Sequence, residues 1–370
     1  GGFLEATPLT SFVAMSLAST GKADHPVVQR ALAFLLASVR EDGSWPIDTN
    51  LSTWVTTLSI NALEGVLNPE VGARLAERLL NWQLQEPHAY TNADPGGWAW
   101  TDLTGGVPDA DDTAGALLAL VHLRRHADAA ALTRALVAGA RWLLNLQNGD
   151  GGWPTFCRGW GALPFDRSAP DLTAHAMRAL QAACNELRSG QWTPVAGSRM
   201  ERSVARAAER GFRYLEKSQR ADGAWVPLWF GNQNAPGEEN PVFGTARVLA
   251  AYRDCARLET GPARAAMNWL SAAQNDDGGW GGDLKLLSSF EETAIALEAL
   301  LSVAPQGAAL DSRLQRGLAW LLGAIECEMW RDPSPIGLYF ARLWYSEELY
   351  PVIFGVAALR RAAAHLELSP

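Results

Sequence analysis

The signature Gln-x5-Trp, with glycines just ahead of the tryptophan, recurs at long, regular intervals: Gln147 to Trp153, Gln219 to Trp225 and Gln274 to Trp280. A degenerate copy places Val39 in the glutamine position before Trp45, and Trp98 (in Asp94-Pro95-Gly96-Gly97-Trp98) and Trp330 continue the series. The resulting period of roughly 50 to 70 residues is that of a repeat protein whose unit is two helices and a turn. Upstream of the turns, Phe34, Trp142, Tyr214, Trp269 and Trp320 mark one buried stripe on an outer helix. Downstream, a second helix is anchored on Thr56, Thr113, Thr173, Thr245 and Thr293, followed at a fixed offset by Ala62-Leu63, Ala119-Leu120, Ala179-Leu180, Ala251-Tyr252 and Ala299-Leu300. Small residues at a constant offset suit helices packed closely around a common centre. Hairpins that cannot each bury a face become stable when stacked, and six of them closed on themselves give an all-α (α/α)6 toroid of inner and outer helices.

A length of 370 residues would ordinarily suggest more than one domain, but the repeats assign almost all of it to one ring. An inner-helix pattern also occurs at Thr10, with Ser16-Leu17 in register, which is one helix too many for a closed ring. The expected organisation is therefore a trailing helix of a preceding barrel at 1–25 and the (α/α)6 barrel at 26–370. A net charge of -9 without a basic block argues against a nucleic-acid partner. The four cysteines lie far apart with no CxxC or Cys/His pairing, so neither a disulfide framework nor a zinc site is expected. The N-terminus lacks a basic leader, and the apolar stretch from Phe12 to Leu17 is too short to span a bilayer, so the chain reads as cytoplasmic with peripheral contact to a membrane allowed.

Because all inner helices run the same way, the residues preceding each threonine point at one mouth, together with the positive ends of the helix dipoles. Two residues before the threonine stand Trp54, Asp111, Asp171, Phe243 and Glu291. Each acid taken singly reads as a helix cap. Asp109-Ala110-Asp111-Asp112 is too crowded for that reading alone, since neighbouring carboxylates raise one another's affinity for a proton. A carboxyl kept neutral at pH 7 can act as an acid. His175, two residues after Thr173 and close to Asp171, is positioned to reach Asp111 from the adjacent inner helix. Trp54, Trp100, Trp229 and Trp344 fall at or near inner-helix entries, where aromatic faces attract cations.

These residues resemble the squalene-hopene cyclases and related class II terpene cyclases. Gln147-Asn148-Gly149-Asp150-Gly151-Gly152-Trp153 and Gln274-Asn275-Asp276-Asp277-Gly278-Gly279-Trp280 look like the QW motifs of that family, Pro108-Asp109-Ala110-Asp111-Asp112-Thr113-Ala114 like its DxDDTA acid motif, and Asp171-Leu172-Thr173-Ala174-His175 like the segment carrying its activating histidine. The resemblance implies that Asp111 donates a proton to a terminal alkene, that Asp109 and Asp112 support it, and that His175 with Asp171 orients it. It implies substrate contacts from Trp54, Trp98, Trp100, Phe156, Trp229, Phe340 and Trp344. It also implies an apolar, squalene-like polyprenoid substrate, no metal or other cofactor, a second α-barrel domain or chain as partner, contact with a membrane surface, and a hopene- or hopanol-type product. The chain departs from the family pattern at Val55, where an acid is usual, at Phe156, where tyrosine is common, and in the last repeat, which has lost its glutamine and glycines. Three alternatives remain: a class II cyclase of prenyl diphosphates, which would need Mg²⁺ and a basic cluster; a barrel of the protein-prenyltransferase β type, whose zinc ligands the Cys157 and His175 spacing does not match; and a non-catalytic barrel that binds an isoprenoid or a partner.

Overall fold

The computed structural model describes residues 2–89, 91–156, 166–189, 194–305, 309–332, 334, 336–338 and 343–366. Among them α1 (Thr7–Ser19) and α2 (Pro26–Ser38) precede six inner helices: α3 (Ser52–Leu63), α5 (Ala110–His122), α7 (Pro170–Ser189), α9 (Pro241–Asp254), α11 (Phe290–Val303) and α13 (Leu349–His365). Each inner helix packs on the next and α13 packs back on α3, so the ring closes. Outside it run α4 (Pro69–Trp82), α6 (Ala129–Leu146), α8 (Pro194–Ser218), α10 (Gly261–Ala272) and α12 (Ser312–Glu326). Two short antiparallel ladders decorate the turns, β1 (Trp98–Ala99) with β2 (Pro108–Asp109) and β3 (Ile336–Leu338) with β4 (Leu343–Tyr345). The chain is an all-α toroid, and the alanines repeated along α5, α7 and α11 are buried between neighbouring helices.

The repeated residues have a common physical job. The turn tryptophan's backbone N–H donates to the anchor threonine of the following inner helix: Trp98 to Thr113 (3.0 Å), Trp153 to Thr173 (2.9 Å), Trp225 to Thr245 (3.0 Å) and Trp280 to Thr293 (2.9 Å). Its indole N–H donates back to a carbonyl of the preceding outer helix, as from Trp153 to Leu143 (2.8 Å). The glutamine amide then spans two carbonyls, one in its own turn and one in the next outer helix; Gln147, for example, reaches Gly151 (2.8 Å) and Ala207 (2.9 Å). Each turn is thus a clasp joining three helices. Small residues on the next outer helix make room for the indole, since a Cβ at Gly139 or Gly317 would come within 2.8 or 2.7 Å of the Trp98 or Trp280 ring. The second turn has a glutamine that the spacing concealed: Gln83 donates to Gly96 (2.8 Å) and Ala135 (3.0 Å), although an insertion separates it from Trp98.

The first copy is different. Its anchor Thr56 makes no such bond among the described residues, and Trp45 is 50% exposed where the four tryptophans just named are fully buried. Here α2 turns its small inner face, Val28 and Ala31, to Ala14 of α1. In α1, Thr10 accepts from the Phe3 N–H (2.8 Å), which reproduces the latch of an inner helix outside the ring of six. Phe12, Met15 and Leu36 are left exposed on this pair of helices.

Candidate active site

The three aspartates divide into three environments. Asp109, in β2 opposite Trp98, is the cap of α5, its Oδ1 accepting from the N–H groups of Asp111 and Asp112 at 2.8 Å each. Asp112 is buried behind it and hydrogen-bonds its carboxyl. Burial, reinforced by the charge of Asp111, pushes Asp109 up to about 7. Burial and then the charge of Asp109 drive Asp112 well above the usual carboxylate range, so the proton of that pair rests on Asp112. Asp111 sits in the first turn of α5, where its side chain lines the ring's axial cavity and Oδ1 lies 2.5 Å from Nδ1 of His175 on α7.

The other two acids at this level make contacts beyond their own helices. Asp171 accepts from the Leu228 N–H (3.3 Å), and burial followed by the charge of Asp111 raises it to about 7. Glu291 accepts from the N–H and hydroxyl of Ser334 (2.6 and 2.7 Å), and the caps of α9 and α11 are Asn240 and Ser289. The expectation that these acids read singly as caps is corrected for Asp111 and Glu291, because Asp109 and Ser289 hold the caps of α5 and α11 about half a turn earlier, whereas the Asp171 carboxyl also meets the N–H groups of Asp171 and Leu172.

All six inner helices line an axial cavity of about 350 Å³. It presents Trp54, Asp111, Asp171 and Phe243 from the first turns of their helices, His175 and Arg247 about one turn deeper at a shared offset, Phe230 from the loop before α9, and also Arg178, Glu298 and Phe354. The aromatic wall is continuous, with Trp54 stacked on Phe230 at 6.4 Å and Phe230 on Phe243 at 4.1 Å. The indole N–H of Trp54 donates to the Tyr350 hydroxyl (2.6 Å), which fixes its ring plane.

A second aromatic group flanks the start of α5. Phe156 stands edge-on to both Trp100 (6.1 Å) and Trp229 (6.2 Å). The Trp229 indole donates to the Thr155 hydroxyl (2.8 Å), and the Thr155 carbonyl accepts from the Ala110 N–H (2.8 Å), so this group is tied to the helix that carries Asp111. Trp98 belongs elsewhere. It is fully buried in its clasp, with the indole N–H on the Leu79 carbonyl (2.7 Å), and its implied substrate contact is corrected to a packing role. Trp344 is partly buried on β4 opposite Gly337, and Phe340, like Cys157, lies outside the described residues.

The sequence reading did not single out Phe230, Phe354, Tyr350, Arg178 or Arg247. A signal existed for Arg247, which stands two residues after Thr245 as His175 does after Thr173. Among the described residues no group of three or more His, Cys, Asp or Glu is disposed to hold a metal ion, and no helix is long and apolar enough to cross a membrane.

The chain matches the family described as squalene-hopene cyclase C-terminal domain over residues 50–364. It is 32% identical over 345 residues to the terpene cyclase-glycosyl transferase fusion protein fsoA of Humicola fuscoatra, covering 81% of this chain and 24% of that protein. It is 26% identical over 379 residues to a probable squalene-hopene cyclase of Sinorhizobium fredii, covering 91% of this chain and 54% of that protein. The chain thus spans about a quarter and about half of these two relatives. The fold is shared with MstE, a type II terpene cyclase from Scytonema whose structure in complex with geranylgeranyl dihydroxybenzoate is known, at a TM-score of 0.59 and 16% identity over 90% of this chain and 96% of that one.

Proposed function

Since the chain belongs to the squalene-hopene cyclase family through its C-terminal domain, we propose that it is a class II terpene cyclase that starts its reaction by protonating an alkene. The observation that carries this reading is the 2.5 Å contact between Asp111 and His175 at the head of an aromatic-lined cavity. With its Nδ1–H donating to Oδ1, the imidazole leaves the carboxyl proton on Oδ2. The new C–H bond forms as the Asp111 O–H bond breaks, and the developing carboxylate keeps the histidine hydrogen bond, an interaction stronger in the transition state than in the ground state. Asp171, Asp109 and Asp112 surround the acid with groups whose own proton affinity is raised, so together they carry less than their full negative charge near neutral pH. Trp54 and Phe230, with Trp100, Phe156 and Trp229 at the rim, offer faces to the carbocation, each worth about 0.5–2 kcal/mol when dry.

The substrate in this reading is an acyclic polyprenoid of squalene type and the product a hopene- or hopanol-type polycycle. We further propose that α1 is the trailing helix of a preceding barrel and that the exposed Phe12, Met15 and Leu36 mark where it packs. The test is extraction and mass spectrometry after incubation with squalene and shorter polyprenes, with the segment encoded upstream both present and absent. Cyclic products that vanish in Asp111→Asn support the reading; none from the wild type in either form refutes it.

A further inference from the structure

We propose that Arg247 is a positioning residue for the same reaction: a half-buried counter-charge that stabilises the carboxylate left on Asp111 and drives the substrate's positive charge away from α9. This rests on the cyclase reading above. Arg247 lies on α9 at the offset from its anchor threonine that His175 has on α7, and both line the cavity into which Asp111 projects. Its guanidinium carbon is 5.0 Å from the centroid of Phe243 and 5.3 Å from that of Phe354. The other cavity arginines have carboxylate partners: Arg178 and Arg253 bond Asp254 at 2.7 and 2.6 Å, and Arg361 lies 3.9 Å from Glu64. Arg247 has two aromatic faces and no hydrogen bond or ion pair among the described residues.

A half-buried cation without a direct partner is costly, since burial lowers its proton affinity while the charges of Glu298 and Asp111 partly restore it. Such a group persists where a task holds it. Protonation supplies one. When the Asp111 O–H proton passes to the alkene carbon and the π electrons form the C–H bond, a carboxylate and a carbocation appear together in a site of low dielectric. His175 meets the carboxylate directly, and Arg247 adds a fixed positive potential on the same side. Phe243 and Phe354 face the guanidinium and Phe230 is stacked on Phe243, so the cavity aromatic left to attract the carbocation is Trp54.

The experiment compares wild type, Arg247→Met, Arg247→Lys and Asp111→Asn in steady-state cyclisation of squalene, with a thermal melt of each. Loss of a nearby full charge at intermediate dielectric lowers kcat on the order of 10- to 100-fold, with KM within about threefold because the cation does not contact the alkene. The lysine variant recovers most of the loss, and the melting temperature of the methionine variant does not fall, since the charge removed is half-buried and has no hydrogen bond or ion pair among the described residues. Arg247→Gln repeats the neutral substitution if methionine disturbs packing. Active wild type with both neutral variants within threefold in kcat, or lysine no better than methionine, overturns the role of Arg247 alone. Wild type without cyclic product overturns the cyclase reading and this role with it.

Discussion

Gln83 and Gln274 make the same pair of hydrogen bonds in different surroundings, and that difference predicts different costs for the same substitution. Gln83 is buried and donates to Gly96 and Ala135 where no solvent reaches. Gln274 donates to Gly278 in a partly buried site and to Arg313 in an exposed one. Replacing Gln83 with alanine leaves the Gly96 carbonyl without this partner at about 1–3 kcal/mol and takes one of two donors from the Ala135 carbonyl, which stays bonded within α6, at about 0.5–1.5 kcal/mol, so the sum is about 1.5–4.5 kcal/mol. At Gln274 water replaces one amide partner and partly the other, leaving about 0.5–1.5 kcal/mol. With an unfolding entropy of about 2 cal/mol/K per residue, a chain of this length loses about 1.3 °C per kcal/mol. Gln83→Ala should therefore melt about 2–6 °C below wild type and Gln274→Ala about 1–2 °C below it, a difference that scanning calorimetry resolves. Equal shifts, or a larger one at Gln274, would refute the argument that the clasps hold the ring by hydrogen bonds whose worth depends on burial.

The clasp tryptophans extend the same logic. Trp153→Ala leaves a cavity in the core and costs about 3–5 kcal/mol, whereas Trp45→Ala, half exposed and outside the ring's packing, costs under about 1.5 kcal/mol; comparable melting shifts for the two would contradict the distinction. Stability should also fall as pH rises between about 4 and 7, because Asp109, Asp171, Asp48 and Glu292 are raised to about 7 in the folded chain. In that window the folded state binds more protons than the unfolded state, so their contribution is complete below the ordinary carboxylate range and is lost as pH climbs through the folded values. Asp171→Asn should flatten part of that slope in melts taken from pH 4 to pH 8, and an unchanged slope would show that Asp171 does not take up its proton on folding.

Much of the ring was legible because its determinants are local and repeated. A turn tryptophan is followed 13 to 20 residues later by an anchor threonine, so four copies of the latch could be aligned from the repeat alone. Gln83 escaped because the pattern assumes a fixed spacing, while the physical requirement is only that the amide reach two carbonyls; the insertion before Trp98 satisfies that by folding outward. The acid motif announced Asp111, but its neighbours' roles depended on which side of the α5 N-terminus each carboxyl faces, and that follows from tertiary packing. The contact with His175 was foreseeable because Asp111 stands two residues before, and His175 two residues after, the anchor threonines of adjacent helices. Phe230 and Arg247 were not foreseen as part of the cavity: the first lies in an irregular loop, and the second is a residue type that helical periodicity assigns to solvent.

The most direct test of the central claim is cyclisation in D₂O. If Asp111 delivers a solvent-exchangeable proton to carbon, the cyclic hydrocarbon formed from squalene gains one deuterium and is one mass unit heavier than the product made in H₂O, and Asp111→Asn forms none. A cyclic product without deuterium, or one still formed by Asp111→Asn, would contradict the account.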